Sequence, residues 1–492
     1  MKINPNIFRA YDIRGIADNA NDTNIDLTEE SVYIIGKATA SYLIKNYGIK
    51  NMAVGCDNRL TGEKLKQAYI KGLIECGIDV SDVGLSVSPM IYWAVCALDF
   101  DAGTNITASH NPKEYNGIKI VTKNAHSICA DELQEIRKIA ESENFTKQEK
   151  QGTSKKEDIW PKYKKDLLSR AKQNGVPPPA ADSRLLARQP AYGGSLNRKL
   201  KIVIDAGNGT AGKFAPELLR EFGCEVIELY CDLDGTFPNH EANPEELKNM
   251  QDLIQKVIEE KADLGIGFDG DGDRVGIVDE KGHMYSSDFM LLLLARDLAA
   301  RVKNPKVVFD VKVSSIIIED MEKHGVVPIM SKTGHSFIEN KMKEISAPLA
   351  GEVSGHLFFS ENYYGFDDAL LAAEKIIEII SKSDIPLSQI FSGLPISYAT
   401  PEFKAPCPDD KKFDIVKNLV EHFTKEYDCV TIDGVRINFD KTSWGAVRAS
   451  NTSPCLTLRF EARTQNRLQE IKNIMATELK KYPDVGLDFL EE

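Results

Sequence analysis

The chain holds no C-x-x-C pair, although nine cysteines are scattered along its 492 residues. That spacing argues against a zinc site or a disulfide framework and for buried free thiols. No uninterrupted apolar run reaches membrane length, and the N-terminal Met1-Lys2-Ile3-Asn4-Pro5 lacks an apolar h-region. We therefore expect no membrane partner and a cytoplasmic enzyme. A basic excess is missing too: the formal net charge is −13. No nucleic-acid footprint is expected, and an anionic substrate has to be met by a locally basic site. What is present is ordinary globular composition, 42% hydrophobic and 27% charged residues. At roughly 150 residues per domain, the length asks for three or four domains.

A βαβ theme recurs three times. The first copy is a strand over 51–56 ending at Asp57, a helix over 62–76, Gly77 and a second strand from 78. The second runs from 200–204 and Asp205 to Gly223 and 224–229. The third runs from 306–309 and Asp310 to Gly325 and 326–330. The pattern predicts three α/β domains with largely parallel sheets, each with a functional loop at the carboxyl ends of its strands, facing a shared cleft. Another helix is expected over 28–46, capped by Thr28 with Glu29 and Glu30 in its first turn. The segment 173–198, with Pro177-Pro178-Pro179 and Gly193-Gly194, reads as a flexible surface insertion. After Gly393-Leu394-Pro395 the theme stops. Helices over 411–426 and 466–480 and strands over 430–439 and 455–461 suggest an α+β domain. The expected domains are 1–160, 161–283 (with the insertion), 284–395 and 396–492.

The densest chemistry is Asp269-Gly270-Asp271-Gly272-Asp273-Arg274, between apolar runs at 262–268 and 275–278. That reads as strand, tight turn, strand. Three carboxylates so close repel one another unless a cation sits among them, and oxygen ligands suit a hard divalent ion such as Mg²⁺. The adjacent arginine suggests a phosphate as the further partner. A hairpin with solvated aspartates and a calcium loop are the alternatives. A calcium loop wants D-x-D-x-D-G and a later Glu. Thr107-Ala108-Ser109-His110-Asn111-Pro112 can present a free hydroxyl able to carry a phosphoryl group, or simply form a serine turn. Lys119, ten residues on, suits acid/base work if burial or neighbouring cations depress its pKa. Arg14, before Gly15, offers a phosphate fork.

Lys332-Thr333-Gly334-His335-Ser336 supplies a cation and an imidazole. Gly351-Glu352-Val353-Ser354-Gly355-His356 supplies an acid and a hydroxyl suited to adjacent sugar hydroxyls. The segment 448–454 clusters Arg448, Ser450, Asn451, Thr452 and Ser453, which suits a phosphate cradle or, equally, a capped surface turn. Gly207-x-Gly209-x-x-Gly212, with Glu225 and Glu228 beyond, matches a dinucleotide fingerprint. An NAD(P)-dependent dehydrogenase is therefore the reading from another class, with a tight strand-to-helix turn as the plain explanation. A scaffold that keeps the fold without catalysis is a third class, and the full set of reactive residues speaks against it.

Taken in order, FRAYDIRG (8–15), TASHNP (107–112), NGIKI (116–120), DGDGDR (269–274), DVK (310–312), KTGHS (332–336), GEVSGH (351–356) and RASNTSP (448–454) resemble the α-D-phosphohexomutase family over essentially the whole chain. The resemblance implies three similar α/β domains and a smaller α+β domain around a central cleft. It implies that Ser109 is the phosphoserine and that Asp269, Asp271, Asp273 and the Ser109 phosphate hold one Mg²⁺ ion. It gives Lys119 and His335 acid/base or orienting roles, with Arg14, His110, Arg274 and Lys312 supporting transfer. Tyr11, Arg14, Lys312, Gly334 and His335 become substrate contacts, as do Glu352 and Ser354 for the sugar. Arg448, Ser450, Asn451 and Thr452 become phosphate contacts. Implied partners are a phosphorylated hexose and a hexose 1,6-bisphosphate activator, and the implied assembly is a monomer or weak homodimer. Val353 points to the phosphomannomutase/phosphoglucomutase branch, because the phosphoglucosamine mutase branch tends to carry Gln there. Two departures stand out: the insertion at 173–198, and Glu241 where a second His is usual.

Overall fold

The computed structural model describes residues 3–18, 25–172, 196–450 and 453–487. Most of the insertion, 173–195, lies outside them. The chain forms two compact units, one from residues 1–297 and 354–390, the other from 298–353 and 391–492.

The first unit holds two of the three repeats. In one sheet Asn51–Cys56 lies between parallel neighbours Asp79–Leu85 and Ala102–Ile106. In the other, Lys201–Asp205 lies between parallel Glu225–Leu229 and Leu264–Phe268. These central strands are buried on both faces, which explains their unbroken apolar sequence. The helix Glu29–Tyr47 starts where expected: Thr28 caps it, with Ser31 completing a reciprocal capping box.

The second unit repeats the arrangement. Lys306–Asp310 lies between parallel Val327–Ser331 and Leu349–Gly351. Each repeat thus places its first strand between its second and a third. The expectation of largely parallel sheets holds only for these centres. Beyond them, Ala102–Ile106 pairs antiparallel with Tyr115–Thr122, and Leu264–Phe268 with Val275–Asp279. The reason is the connections, since a turn as short as 269–274 can join only antiparallel strands.

The C-terminal part of the second unit is an antiparallel sheet built on Val435–Asp440, Ser443–Ala449 and Cys455–Ala462. The helices Lys412–Phe423 and Gln465–Leu479 supply Leu419, Phe423, Ile471 and Met475 to one core with Val435, Ile437, Val447 and Leu458. Two expectations need correction here. The strand read over 430–439 is interrupted, ending at Val430 and resuming at Val435. Gly434 at the break has φ +70°, and a Cβ there would lie 2.3 Å from the Val447 carbonyl. The strand Ser443–Ala449 was not foreseen. It is buried along its whole length, so it shows no alternation of polar and apolar residues.

Among the described residues no helix is long and apolar enough to cross a membrane.

Candidate active site

In the first unit, the hairpin between Leu264–Phe268 and Val275–Asp279 carries the aspartate loop. Gly272 turns it at φ +70°, and a Cβ on Gly270 would sit 2.5 Å from the Ser109 carbonyl. Glycine at 270 is therefore what lets the aspartate loop touch the serine loop. Asp269, Asp271 and Asp273 are all buried, which rules out a hairpin with solvated aspartates. One carboxylate oxygen from each lies within 4.8 Å of the other two.

Ser109 has φ +52°, a left-handed conformation unusual for a side-chain-bearing residue. Its N–H donates to Thr107 Oγ1 at 2.9 Å, and its hydroxyl donates to Asp269 Oδ2 at 2.6 Å. His110 Nδ1 is 3.3 Å from that hydroxyl. Burial, with Arg274 and Arg14 nearby, holds the His110 imidazole well below its ordinary pKa, so it is neutral. Arg14 Nη1 donates to the Ala108 carbonyl at 3.2 Å and to Asn111 Oδ1 at 2.7 Å, while its Nε pairs with Asp12 at 2.7 Å. Tyr11 is close enough to act on the Arg14 charge.

Lys119 Nζ lies 2.7 Å from Asp271 Oδ2 and 2.5 Å from Asp273 Oδ2. Burial opposes its charge, but the two carboxylates outweigh burial and hold its pKa well above the usual lysine range. The depressed pKa entertained for Lys119 is thus not what this arrangement produces, because its nearest neighbours are anions. Burial and the neighbouring carboxylates also push the Asp269 pKa up, well above its ordinary value, which disfavours its charged form. The loop fits a metal ion on two grounds. Asp271 Oδ1 and Asp273 Oδ1 are buried without a hydrogen-bond partner, and a divalent cation would relieve the repulsion between the carboxylates.

Several residues here escaped the sequence reading. Arg59 donates to the carbonyls of Ser109 (2.8 Å), Asn111 (2.5 Å), Pro112 (2.7 Å) and Tyr115 (3.0 Å), with its Nε on Asp57 at 3.2 Å. It staples the serine loop shut. The available signal was its place just past Asp57, at the carboxyl end of the first repeat's first strand. Ser88 donates to Asp271 Oδ2 at 2.6 Å, with no motif to announce it. Arg274 Nε donates to His356 Nε2 at 3.0 Å, and His356 Nδ1 lies 2.6 Å from Asp367 Oδ2. Ser354 begins the 354–390 segment of this unit.

In the second unit, Gly334 N–H donates to Glu352 Oε1 at 2.6 Å, and His335 opens the helix His335–Ile345. Asp433 Oδ2 accepts from Thr333 N–H at 3.0 Å and from Arg448 Nε at 2.7 Å. The KTGHS and RASNTSP loops therefore meet on one carboxylate. Lys312 Nζ lies 2.6 Å from Glu402 and 3.7 Å from Asp310. Burial acts against the Glu402 charge, but Lys312 outweighs it and lowers its pKa. Buried Lys412 donates to the Ser450 carbonyl at 2.6 Å and the Ser453 carbonyl at 3.0 Å, fastening both to the start of the helix Lys412–Phe423. Asn451 and Thr452 lie outside the described residues.

Four family descriptions match the chain in order. "Phosphoglucomutase/phosphomannomutase, alpha/beta/alpha domain I" covers residues 5–147, domain II 185–282, domain III 286–398, and the C-terminal domain 402–478. The chain belongs to the phosphoglucomutase/phosphomannomutase family. It is 41% identical over 475 residues to the phosphomannomutase/phosphoglucomutase of Pseudomonas aeruginosa, covering 96% of this chain and 95% of the relative. It is 38% identical to the phosphoglucomutase of Neisseria meningitidis, over 97% of this chain and 98% of that one. A solved phosphoglucomutase/phosphomannomutase family protein from Burkholderia thailandensis superimposes with TM-score 0.85 at 34% identity, covering 98% of both chains.

Membership in this family replaces the dehydrogenase reading of Gly207 to Gly212. A Cβ on Gly209 would lie 3.0 Å from Gly270 Cα, and one on Gly212 would lie 2.3 Å from the Cys231 carbonyl. Those glycines serve close packing of a strand-to-helix turn, partly against the aspartate loop itself.

Proposed function

We propose that this phosphoglucomutase/phosphomannomutase family member interconverts hexose 1-phosphate and hexose 6-phosphate, with glucose and mannose as the sugars, through phospho-Ser109 and a hexose 1,6-bisphosphate. The observation that carries this is the Ser109 hydroxyl, presented from a left-handed backbone and 2.6 Å from Asp269 in a loop of three buried aspartates.

The phosphoryl group passes from Ser109 Oγ to the free hydroxyl of the bound monophosphate: the P–Oγ bond breaks, a P–O bond to the sugar forms, and the hydroxyl proton ends on Ser109 Oγ. The bisphosphate turns end for end and returns its other phosphoryl group to Ser109. Such transfer depends on positioning and on neutralising charge at the moving oxygens. One Mg²⁺ ion, held by Asp269, Asp271, Asp273 and the Ser109 phosphate, supplies Lewis-acid stabilisation when bound. Arg14 and Arg274 neutralise the phosphoryl charge, and neutral His110 helps to orient the group. Lys119, its ammonium held charged by Asp271 and Asp273, takes the acid or orienting role beside it, and general acid–base assistance is worth about 10²–10⁴-fold. Tyr11, Lys312, Gly334 and His335 bind substrate, Glu352 and Ser354 the sugar, and Arg448, Ser450, Asn451 and Thr452 the distal phosphate. We keep the boundaries 1–160, 161–283, 284–395 and 396–492, a monomer or weak homodimer, and a cytoplasmic location as parts of this reading.

The test offers glucose 1-phosphate, mannose 1-phosphate and glucosamine 1-phosphate in parallel, with Mg²⁺ and a trace of glucose 1,6-bisphosphate. Comparable turnover of the first two, lost in Ser109→Ala, is expected. Preference for the glucosamine substrate would move the chain to the phosphoglucosamine mutase branch.

A further inference from the structure

Beyond its strand, Lys306–Asp310, the chain turns through residues 311–314 into the helix Ser315–Lys323. Three successive carbonyls in this turn are taken by arginines of the C-terminal sheet. Arg436 Nη1 donates to the Val311 carbonyl at 2.6 Å and to the Val313 carbonyl at 2.8 Å. Arg459 Nη1 donates to the carbonyl of Lys312, between them, at 3.0 Å. Arg436 Nη2 reaches Ser315 Oγ at 3.3 Å, and Glu461 Oε1 accepts from Ser315 N–H at 3.0 Å. Both arginines are buried, and the Arg436 guanidinium stacks on Trp444 at 3.8 Å from the ring centroid. Trp444 stands on the neighbouring strand.

A planar guanidinium held on one face by an indole, and spending one nitrogen on two carbonyls, leaves the peptides between them little torsional freedom. Those peptides flank Lys312. Its ammonium is 2.6 Å from Glu402, which immediately precedes the strand Phe403–Pro406 of the same C-terminal sheet. Main chain and side chain of Lys312 are thus both aimed by one sheet.

We infer that Arg436, assisted by Arg459, is a positioning residue for Lys312: the C-terminal sheet sets where this substrate cation stands. The inference rests on the proposed reading of Lys312 as a substrate contact. A purely cementing role for Arg436 would alter stability without depending on the residue at 312.

The experiment is a double-variant cycle in the full chain, reading kcat and KM for glucose 1-phosphate together with the thermal midpoint. Arg436→Met is expected to lose on the order of 10–100-fold in kcat/KM, the scale of a misplaced contact. Arg436→Lys should recover part of that loss. The combined Lys312→Met/Arg436→Met variant should be no worse than Lys312→Met alone. If the two losses multiply, the positioning role is overturned while the mutase assignment stands. If Lys312→Met alone leaves kcat/KM unchanged, the substrate reading of Lys312 fails, and the positioning role with it. Should Arg436→Met not fold, Arg459→Gln, which removes the guanidinium that donates to the Lys312 carbonyl, is put through the same cycle.

Discussion

Ser109 and Asp269, 160 residues apart in sequence, are joined by a 2.6 Å hydrogen bond from hydroxyl to carboxylate. The bond brings the phosphoryl-carrier candidate and the metal-loop candidate to one point. Ser109→Ala should therefore abolish mutase turnover, by about 10³-fold or more, since no other group replaces a lost nucleophile. The thermal midpoint should fall only slightly. Incubation with labelled glucose 1,6-bisphosphate should label the wild type and not the variant, and labelling of both would overturn the assignment.

The buried aspartate loop should make stability respond to divalent cations. Magnesium that binds only the folded chain stabilises it by RT ln(1 + [L]/Kd), about 2.7 kcal/mol at a hundredfold excess over Kd. Asp271→Asn and Asp273→Ala should keep the fold, lose turnover and erase the Mg²⁺-dependent rise in the thermal midpoint. Lys119→Met should enlarge that rise, because the carboxylates then have no resident ammonium. An unchanged Mg²⁺ response in all three would move the ion elsewhere.

Arg59→Met should be among the most destabilising single substitutions, on the order of 3–5 kcal/mol. It strands Asp57 in the interior and releases three carbonyls of the serine loop and that of Tyr115, which opens the next strand. Adding Asp57→Asn should recover part of the stability without recovering turnover. Full activity in Arg59→Met would show that the loop holds its shape unaided.

His240 predicts a pH dependence of stability. Its Nε2 is 3.1 Å from Asp205 Oδ2, its Nδ1 is 2.9 Å from the Glu241 carbonyl, and Tyr230 packs edge-on against it. Burial opposes the imidazolium charge, but Asp205 outweighs it, the Glu241 carbonyl and Asp252 adding to it, so the folded pKa lies above 6.5. A raised folded pKa gives stability that is fully present below pH 6.5 and is lost as pH rises through the folded value. His240→Gln should lower the thermal midpoint most at pH 5.5–6 and least above pH 8. A gap independent of pH would contradict the charged state.

Local order was legible in the chain because it is written locally. The strand over 51–56, the Thr28 cap and the glycine that ends each repeat's first helix follow from apolar runs, capping chemistry and left-handed glycine, all short-range properties. The site loops were legible for a related reason, since reactive side chains concentrate in short polar stretches at strand ends. Arg59, Ser88, Asp433 and Lys412 carry no such mark. Each acts by reaching main-chain carbonyls, a carboxylate or a peptide N–H far away in sequence, and nothing about a lone arginine or serine names its acceptor. The sign of the Lys119 shift was likewise decided by tertiary structure. Burial alone would lower the pKa, and only the arrival of Asp271 and Asp273, more than 150 residues downstream, raises it. The sequence by itself determined which groups could react and on which element each stands. Their partners, and therefore their charge, were decided by chain folding, because Coulomb interaction depends on distance in space and not along the chain.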